Sequence, residues 1–333
     1  MISVELESVS YRFRRPVVTA YGTLERRREV LRLRLVRDGD TVGLGEAAPL
    51  PAYDGVSLDA VRAALSPALP GLPENRDAWP TIALPQAAAA LDMARLDAHA
   101  RERGTPVAAL GLADHGESVA VNATIPDTDP GAAAHAAAAA AAAGFGCVKL
   151  KVGVDDDAGR VAAVRAAVGP DVAIRLDANG AWDVEEAVSA LQALAPAGVE
   201  LCEEPVHGVR GLARVRERLD GAVAIAMDET ARDPEALTSG ACDYACLKVA
   251  DAGGISALWD AADAARSAGT GIYVASTYDG PVGIAAGLHA AAALGEMPHC
   301  GLATLSLFSG VDDPFPARAG RMTVPAGPGL GIS

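Results

Sequence analysis

The sequence predicts an α/β protein, a parallel β/α barrel preceded by a smaller α+β domain. Five short apolar runs each end in a lysine or a carboxylate: Lys151 in VKLKVG, Asp177 in AIRLDANG, Glu203 in VELCEEP, Asp228 in AIAMDET and Lys248 in YACLKVA. By subtraction these residues stand 26, 26, 25 and 20 apart, a pitch that suits one strand plus one helix per step. The N-terminal part reads differently, as alternating strands and then helical segments, which marks a separate α+β unit.

That first unit is expected over residues 1–115. Residues 2–13 and 29–37 alternate apolar and polar, and Asp38-Gly39-Asp40 turns the chain into a third strand ending at Glu46. One loop, 17–24, carries Tyr21; a second, after Glu46, carries Pro49, Pro51, Tyr53, Asp54 and Gly55. Helices are expected over 58–69 and 85–103, the latter burying Leu91, Met93 and Leu96.

The barrel is expected over 116–309, with strands at 119–124, 147–151, 172–177, 199–203, 223–228, 244–248, 271–276 and, more weakly, 300–303. Eight strands are what a barrel needs. The alanine run 132–143 is the first barrel helix, stopped by Gly144, with His135 on its exposed side. Asp183 and Glu186 form a capping box. The tail 310–333, rich in glycine and proline, is expected to return to the first domain.

Composition narrows the function. A net charge of -15 without any lysine- or arginine-rich tract disfavours nucleic acid and anionic membranes. The N-terminus lacks the basic-then-apolar layout of a signal peptide. Five cysteines, an odd number without a CxxC pair, argue against a disulfide framework and for a reducing compartment. The expectation is a cytoplasmic enzyme of small molecules, compatible with assembly as a homo-oligomer.

The strand ends carry the chemistry. Asp177, Glu203 and Asp228 would converge at one end of the barrel, where three carboxylates suit a hard divalent ion such as Mg²⁺. Taken singly, each acid could merely cap the following helix. Lys149 and Lys151 are two apart on a strand and so share its inward side. A second ammonium and a metal should make Lys151 available as a neutral base, and Lys248 enters from across the barrel. The alternative is that these lysines only pair with the acids.

The order KxK, DAN, ExP, DE and a later lysine followed by Gly253-Gly254 resembles the enolase superfamily, in its muconate-lactonizing-enzyme subgroup. The stretch 43–51, GLGEAAPLP, resembles that family's cap motif, so the likeness spans nearly the whole chain. It implies a modified TIM barrel, (β/α)7β, under an α+β capping domain. It also implies Mg²⁺ on Asp177, Glu203 and Asp228, with Mn²⁺ able to substitute, and it favours Glu203 over Glu204 as ligand. Lys151 would then remove the proton α to a substrate carboxylate, Lys149 would assist, and Lys248 would be the partner acid/base or a cation for the intermediate. Asn179 and Glu229 are expected to orient these groups.

The subgroup divides into dipeptide epimerases and N-acylamino acid racemases, o-succinylbenzoate synthases of menaquinone biosynthesis, and muconate cycloisomerases. Dipeptide epimerases resembling this chain usually carry Asp-x-Asp at the eighth strand to hold an ammonium group. Residues 299–306 here contain no acid. Stretches 148–152, 246–254 and 282–294, with PLPAYDG after Glu46, are most similar to o-succinylbenzoate synthases. The resemblance therefore implies a lyase whose substrate bears a carboxylate and has a neutral or negative distal end. Tyr21, Tyr53 and Ser276 are the candidate substrate contacts, although both tyrosines could instead pack the domain interface. Asp279 is read either as a substrate contact or as the cap of the helix that starts near Pro281.

Overall fold

The computed structural model describes residues 2–19, 22–24, 27–75, 78–112, 114–154 and 156–332. The cap begins with β1 (Ser3–Phe13), β2 (Val17–Thr19), β3 (Gly22–Leu24), β4 (Arg27–Arg37) and β5 (Asp40–Ala47). Alternation decides the sheet: β4 buries Leu31, Leu33 and Leu35 on one face and pairs antiparallel with both β1 and β5. Helices α1 (Pro51–Asp54), α2 (Leu58–Leu65), α3 (Pro85–Arg103) and α4 (Ala108–Gly111) follow. Leu91, Met93 and Leu96 of α3 are buried as expected. Gly43 and Gly45 let α3 lie directly on β5, because a Cβ at either would run into the Ala94 or Ala90 carbonyl. The loop expected at 17–24 is a short hairpin, with Val17 opposite Leu24. Tyr21 lies outside the described residues.

The barrel is built from β6 (Ser118–Ala120), β7 (Ala123–Ile125), α5 (Pro130–Ala142), β8 (Cys147–Lys151), α6 (Asp157–Val168), β9 (Ala173–Asp177) and α7 (Val184–Leu194). Next come β10 (Val199–Glu203), α8 (Val209–Leu219), β11 (Ala224–Met227), α9 (Pro234–Leu237), β12 (Tyr244–Lys248) and α10 (Val249–Ala252). It ends with α11 (Ile255–Ser267), β13 (Gly271–Ala275) and α12 (Pro281–Leu294). Strands β7 to β13 form one parallel sheet in chain order. The sheet curls closed through residues 300 and 301, where Cys300 bridges Val121 and Gly301 bridges Ala275.

Two strand expectations change here. The first strand is divided: β6 leaves the barrel to pair antiparallel with β15 (Arg321–Thr323), while β7 stays in it. The eighth is reduced to bridges at 300 and 301, because the chain turns away at 303–304. Helices form where their caps say they should. Asp129 caps α5, with His135 exposed, and Asp183 and Glu186 close the capping box of α7.

The tail stitches the two parts together. β14 (Phe308–Ser309) pairs with β1 of the cap, so the return begins before residue 310. Further on, the buried Asp97 carboxylate of α3 accepts from the Leu44 and Leu330 amides at 2.8 and 2.6 Å and from Arg101 Nε at 2.8 Å. All five cysteines are buried and unpaired. Among the described residues no helix is long and apolar enough to cross a membrane.

Candidate active site

The register of the parallel strands brings the charged strand ends together. Lys151 lies beside Asp177, and Asp177 beside Glu203, at the ends of β8, β9 and β10. Lys151 Nζ donates to Asp177 Oδ2 and to Asn179 Oδ1, both at 2.6 Å. Lys149 Nζ sits between two acids, 2.8 Å from Asp177 Oδ2 and 2.7 Å from Glu203 Oε1. Lys248 Nζ contacts both oxygens of Asp228, at 2.5 and 2.6 Å. Three strands separate β8 from β12 in the sheet order, so Lys151 and Lys248 reach the cavity from opposite sides.

The charges are deeply buried, and their balance explains their protonation. Asp177, Glu203 and Asp228 are at most 3% exposed. Burial would raise the Asp177 carboxyl, but two ammonium groups outweigh it and hold its pKa well below the usual range. Burial prevails at Glu203, where the Lys149 ammonium is offset by the neighbouring Asp177 and Asp228 charges, and its pKa rises. Burial alone would lower Lys149 and Lys248. The carboxylates reverse this, Asp177 and Glu203 for Lys149 and Asp228 for Lys248, and both lysines lie above their ordinary value.

Sequence reasoning missed a second layer that holds these groups in place. Tyr273, inward on β13, donates to Glu203 Oε2 at 2.7 Å and carries the Arg175 guanidinium 5.1 Å over its ring. Its inward parity with Ala275 was the available signal. Glu204 turns away from the cavity at φ 42°, a backbone conformation uncommon for a residue other than glycine. Its carboxylate accepts from the Asp228 and Thr230 amides at 2.8 and 3.3 Å and so shapes the loop that presents Asp228. Asn179, at φ 46°, links Lys151 to Glu229 through Nδ2, 3.1 Å from Glu229 Oε1. The oxygens of Glu203 and Asp228 and the Cys246 sulfur lie within 4.8 Å of one another and could hold a metal ion; Glu204, His207 and Glu229 form a second such group.

The cap closes the mouth. Leu24, Leu50, Ala52 and Tyr53 line the cavity from that side. Tyr53 reaches furthest: its hydroxyl accepts from Lys248 Nζ at 2.9 Å and lies 3.1 Å from Asp228 Oδ1 and 2.9 Å from Asp251 Oδ2. Burial, then the Asp228 charge, push its phenol well above the ordinary value. Ser276 lines the opposite end, its Oγ 2.8 Å from Thr304 Oγ1.

Both readings of Asp279 are corrected. The N-cap of α12 is Gly280, without any side-chain cap, and Asp279 does not line the cavity. The carboxylate instead accepts from Thr277 N and Oγ1 at 3.2 and 2.7 Å, buried beside Arg28 and Glu46. Arg28, 2% exposed, donates to the Ala48, Pro49, Thr277 and Tyr278 carbonyls. It thereby ties the loop that leads to Tyr53 to the loop that follows Ser276.

The fold and site are thus a β/α barrel with lysines opposed across buried carboxylates, under a closing cap. The chain belongs to the enolase superfamily. Residues 131–333 match the enolase C-terminal domain-like family, and residues 1–111 match the mandelate racemase / muconate lactonizing enzyme N-terminal domain. The chain is 41% identical over 213 residues to an o-succinylbenzoate synthase of Thermobifida fusca (strain YX), covering 60% of this chain and 64% of that protein. It thus spans slightly less than two thirds of the length of the synthases it matches. It is 30% identical to the L-Ala-D/L-Glu epimerase of Bacillus subtilis (strain 168), over 100% of this chain and 96% of that protein. Among solved structures, a dipeptide epimerase from Enterococcus faecalis V583, complexed with Mg and the dipeptide L-Leu-L-Tyr, is similar with a TM-score of 0.88 and 26% identity. The likeness covers 100% of this chain and 99% of that one.

Proposed function

We propose that the protein is a Mg²⁺-dependent lyase that removes the proton α to a substrate carboxylate and eliminates water, as an o-succinylbenzoate synthase of menaquinone biosynthesis does. The observation that carries this reading is the neutral far end of the cavity, where Ser276, Thr304, Gly301, Asn122 and Thr124 offer no acid to an ammonium group. The synthase relatives support it. Five buried, unpaired cysteines suit the reducing cytoplasm.

Asp177, Glu203 and Asp228 fit a hard cation, being buried oxygen donors whose present counter-charges are lysines. Bound there, Mg²⁺, or Mn²⁺ in its place, supplies Lewis acidity toward the substrate carboxylate. Lys151 is the base: Asn179 Oδ1 and Asp177 fix its nitrogen at the cavity wall. Lys149 adds positive charge beneath the developing anion, and Lys248 faces that anion from the other side. Tyr53 orients Lys248, and the apolar cap residues beside it exclude water.

A second reading, racemisation of N-acylamino acids or epimerisation of dipeptides, is favoured by the opposed lysines and by the full-length likeness to the Bacillus subtilis epimerase. Product analysis separates the two. With Mg²⁺ and the cyclohexadiene carboxylate precursor of o-succinylbenzoate, the product mass should equal substrate less one water, and Lys151→Ala should abolish its formation. Inverted N-acylamino acids with no dehydration of the precursor would replace the first reading by the second.

A further inference from the structure

Asn122 was not among the residues expected to act, yet its side chain is an uncommitted polar group in the cavity. It lies between β6 and β7, and its backbone N–H donates to the Cys300 carbonyl at 3.0 Å. Its side chain lines the cavity at 3% exposure. Neither Nδ2 nor Oδ1 has a hydrogen-bond partner among the described residues, and Nδ2 is fully buried. A buried carboxamide without a partner is unfavourable and uncommon. Of its polar neighbours, Ser276 and Thr304 bond to each other.

The backbone leaves space beside this amide. Gly301 stands beside it in the barrel closure: a Cβ there would lie 3.7 Å from Asn122 Oδ1 and 3.0 Å from Ala275 Cβ. Bridges from Val121 to Cys300 and from Ala275 to Gly301 place Asn122, Ser276 and Thr304 on one continuous wall. The lysines and acids rise instead from β8 to β12.

We propose that Asn122 determines specificity for the distal end of the substrate, its Nδ2 donating to an oxygen acceptor, a keto, amide or carboxylate group, remote from the carbon that loses its proton. A cationic distal group would find no counter-charge there. The inference rests on the reading of a carboxylate substrate held at the acids, but not on dehydration as the reaction.

The test uses full-length protein with Mg²⁺ and α-proton exchange in D₂O as readout, so it does not require synthase turnover. Two probes share the same amino acid at the reacting end, one N-succinylated and one carrying a free-amine alanyl group. Asn122→Ala and Asn122→Ser should raise KM for the succinyl probe by about 10-fold or more while kcat changes much less. Asn122→Asp should shift the preference between probes toward the amine by about 100-fold. If Asn122→Ala fails to fold, Asn122→Ser and Asn122→Asp carry the test. Unchanged KM in folded variants, or equal losses on both probes, would overturn the proposal. Exchange on the succinyl probe without any dehydration of the cyclohexadiene precursor would count against the synthase reading alone.

Discussion

Replacing Glu46 by glutamine should stabilise the protein, and increasingly so as the pH rises. Glu46 ends the β5 side of the cap–barrel contact and is 1% exposed. Its Oε1 accepts from the Gly280 amide at 2.6 Å, while Oε2 and the Tyr11 hydroxyl are buried without a partner among the described residues. Burial, followed by the Asp279 charge, pushes its pKa up from 4.5 to about 7. The folded state therefore holds a proton that the unfolded chain has released between these values. Its stabilising contribution is complete below the unfolded pKa and is lost as pH rises through the folded one, which corresponds to about 3 kcal/mol at full ionisation. Glu46→Gln removes that ionisation, keeps an oxygen for Gly280 and turns an N–H toward a site shared with Tyr11. Both Glu46 Oε2 and the Tyr11 hydroxyl stand 2.5 Å from where a Cβ on Gly280 would be. Urea unfolding of both proteins at about pH 5 and about pH 8 measures the effect. The variant's advantage should grow by roughly 2.5 kcal/mol over that interval. Because the other titrating groups are common to both proteins, a flat difference would refute the assignment of a buried, proton-holding Glu46.

Removing the metal with a chelator, or making Asp177→Asn, should lower turnover by orders of magnitude without unfolding the barrel, as circular dichroism would show; intact turnover would dismiss the metal. Lys151→Ala should abolish α-proton exchange. Lys248→Arg should retain far more dehydration than Lys248→Ala, because a cation suffices on that face; equal losses would point to two-base racemisation. Tyr53→Phe keeps the ring 4.1 Å from the Arg232 guanidinium and 4.4 Å from Lys248 Nζ, yet removes the hydroxyl between Lys248 and Asp251. Steady-state kinetics should show about a 10–100-fold loss, with the melting temperature nearly unchanged.

Most of the barrel was legible because its strands are buried on both faces and read as short apolar runs at a fixed pitch. Cys147–Lys151, Val199–Glu203 and Tyr244–Lys248 fall where the sequence puts them. The divided first strand and the bridge-like eighth were not legible: which edge they join depends on the returning tail at 321–323 and on barrel closure, neither of which is a local signal. The same division holds in the cavity. Strand-end residues such as Lys151 and Asp177 could be placed by parity. Asp279 could not, because the Arg28 guanidinium that offsets its charge comes from the cap. Asn122 escaped notice because an amide in a small-residue segment between β6 and β7 carries no charge pattern.

The central claim is that this enolase-superfamily site works on a substrate with a carboxylate at the metal and no ammonium at the far end. Its most direct test compares kcat/KM, with Mg²⁺, for the cyclohexadiene carboxylate precursor of o-succinylbenzoate and for L-Ala-L-Glu. The account predicts a value above about 10⁴ M⁻¹s⁻¹ for the precursor, the lower end for a committed enzyme, and a far smaller one for the dipeptide. A dipeptide value above that level, with the precursor untouched, would contradict it.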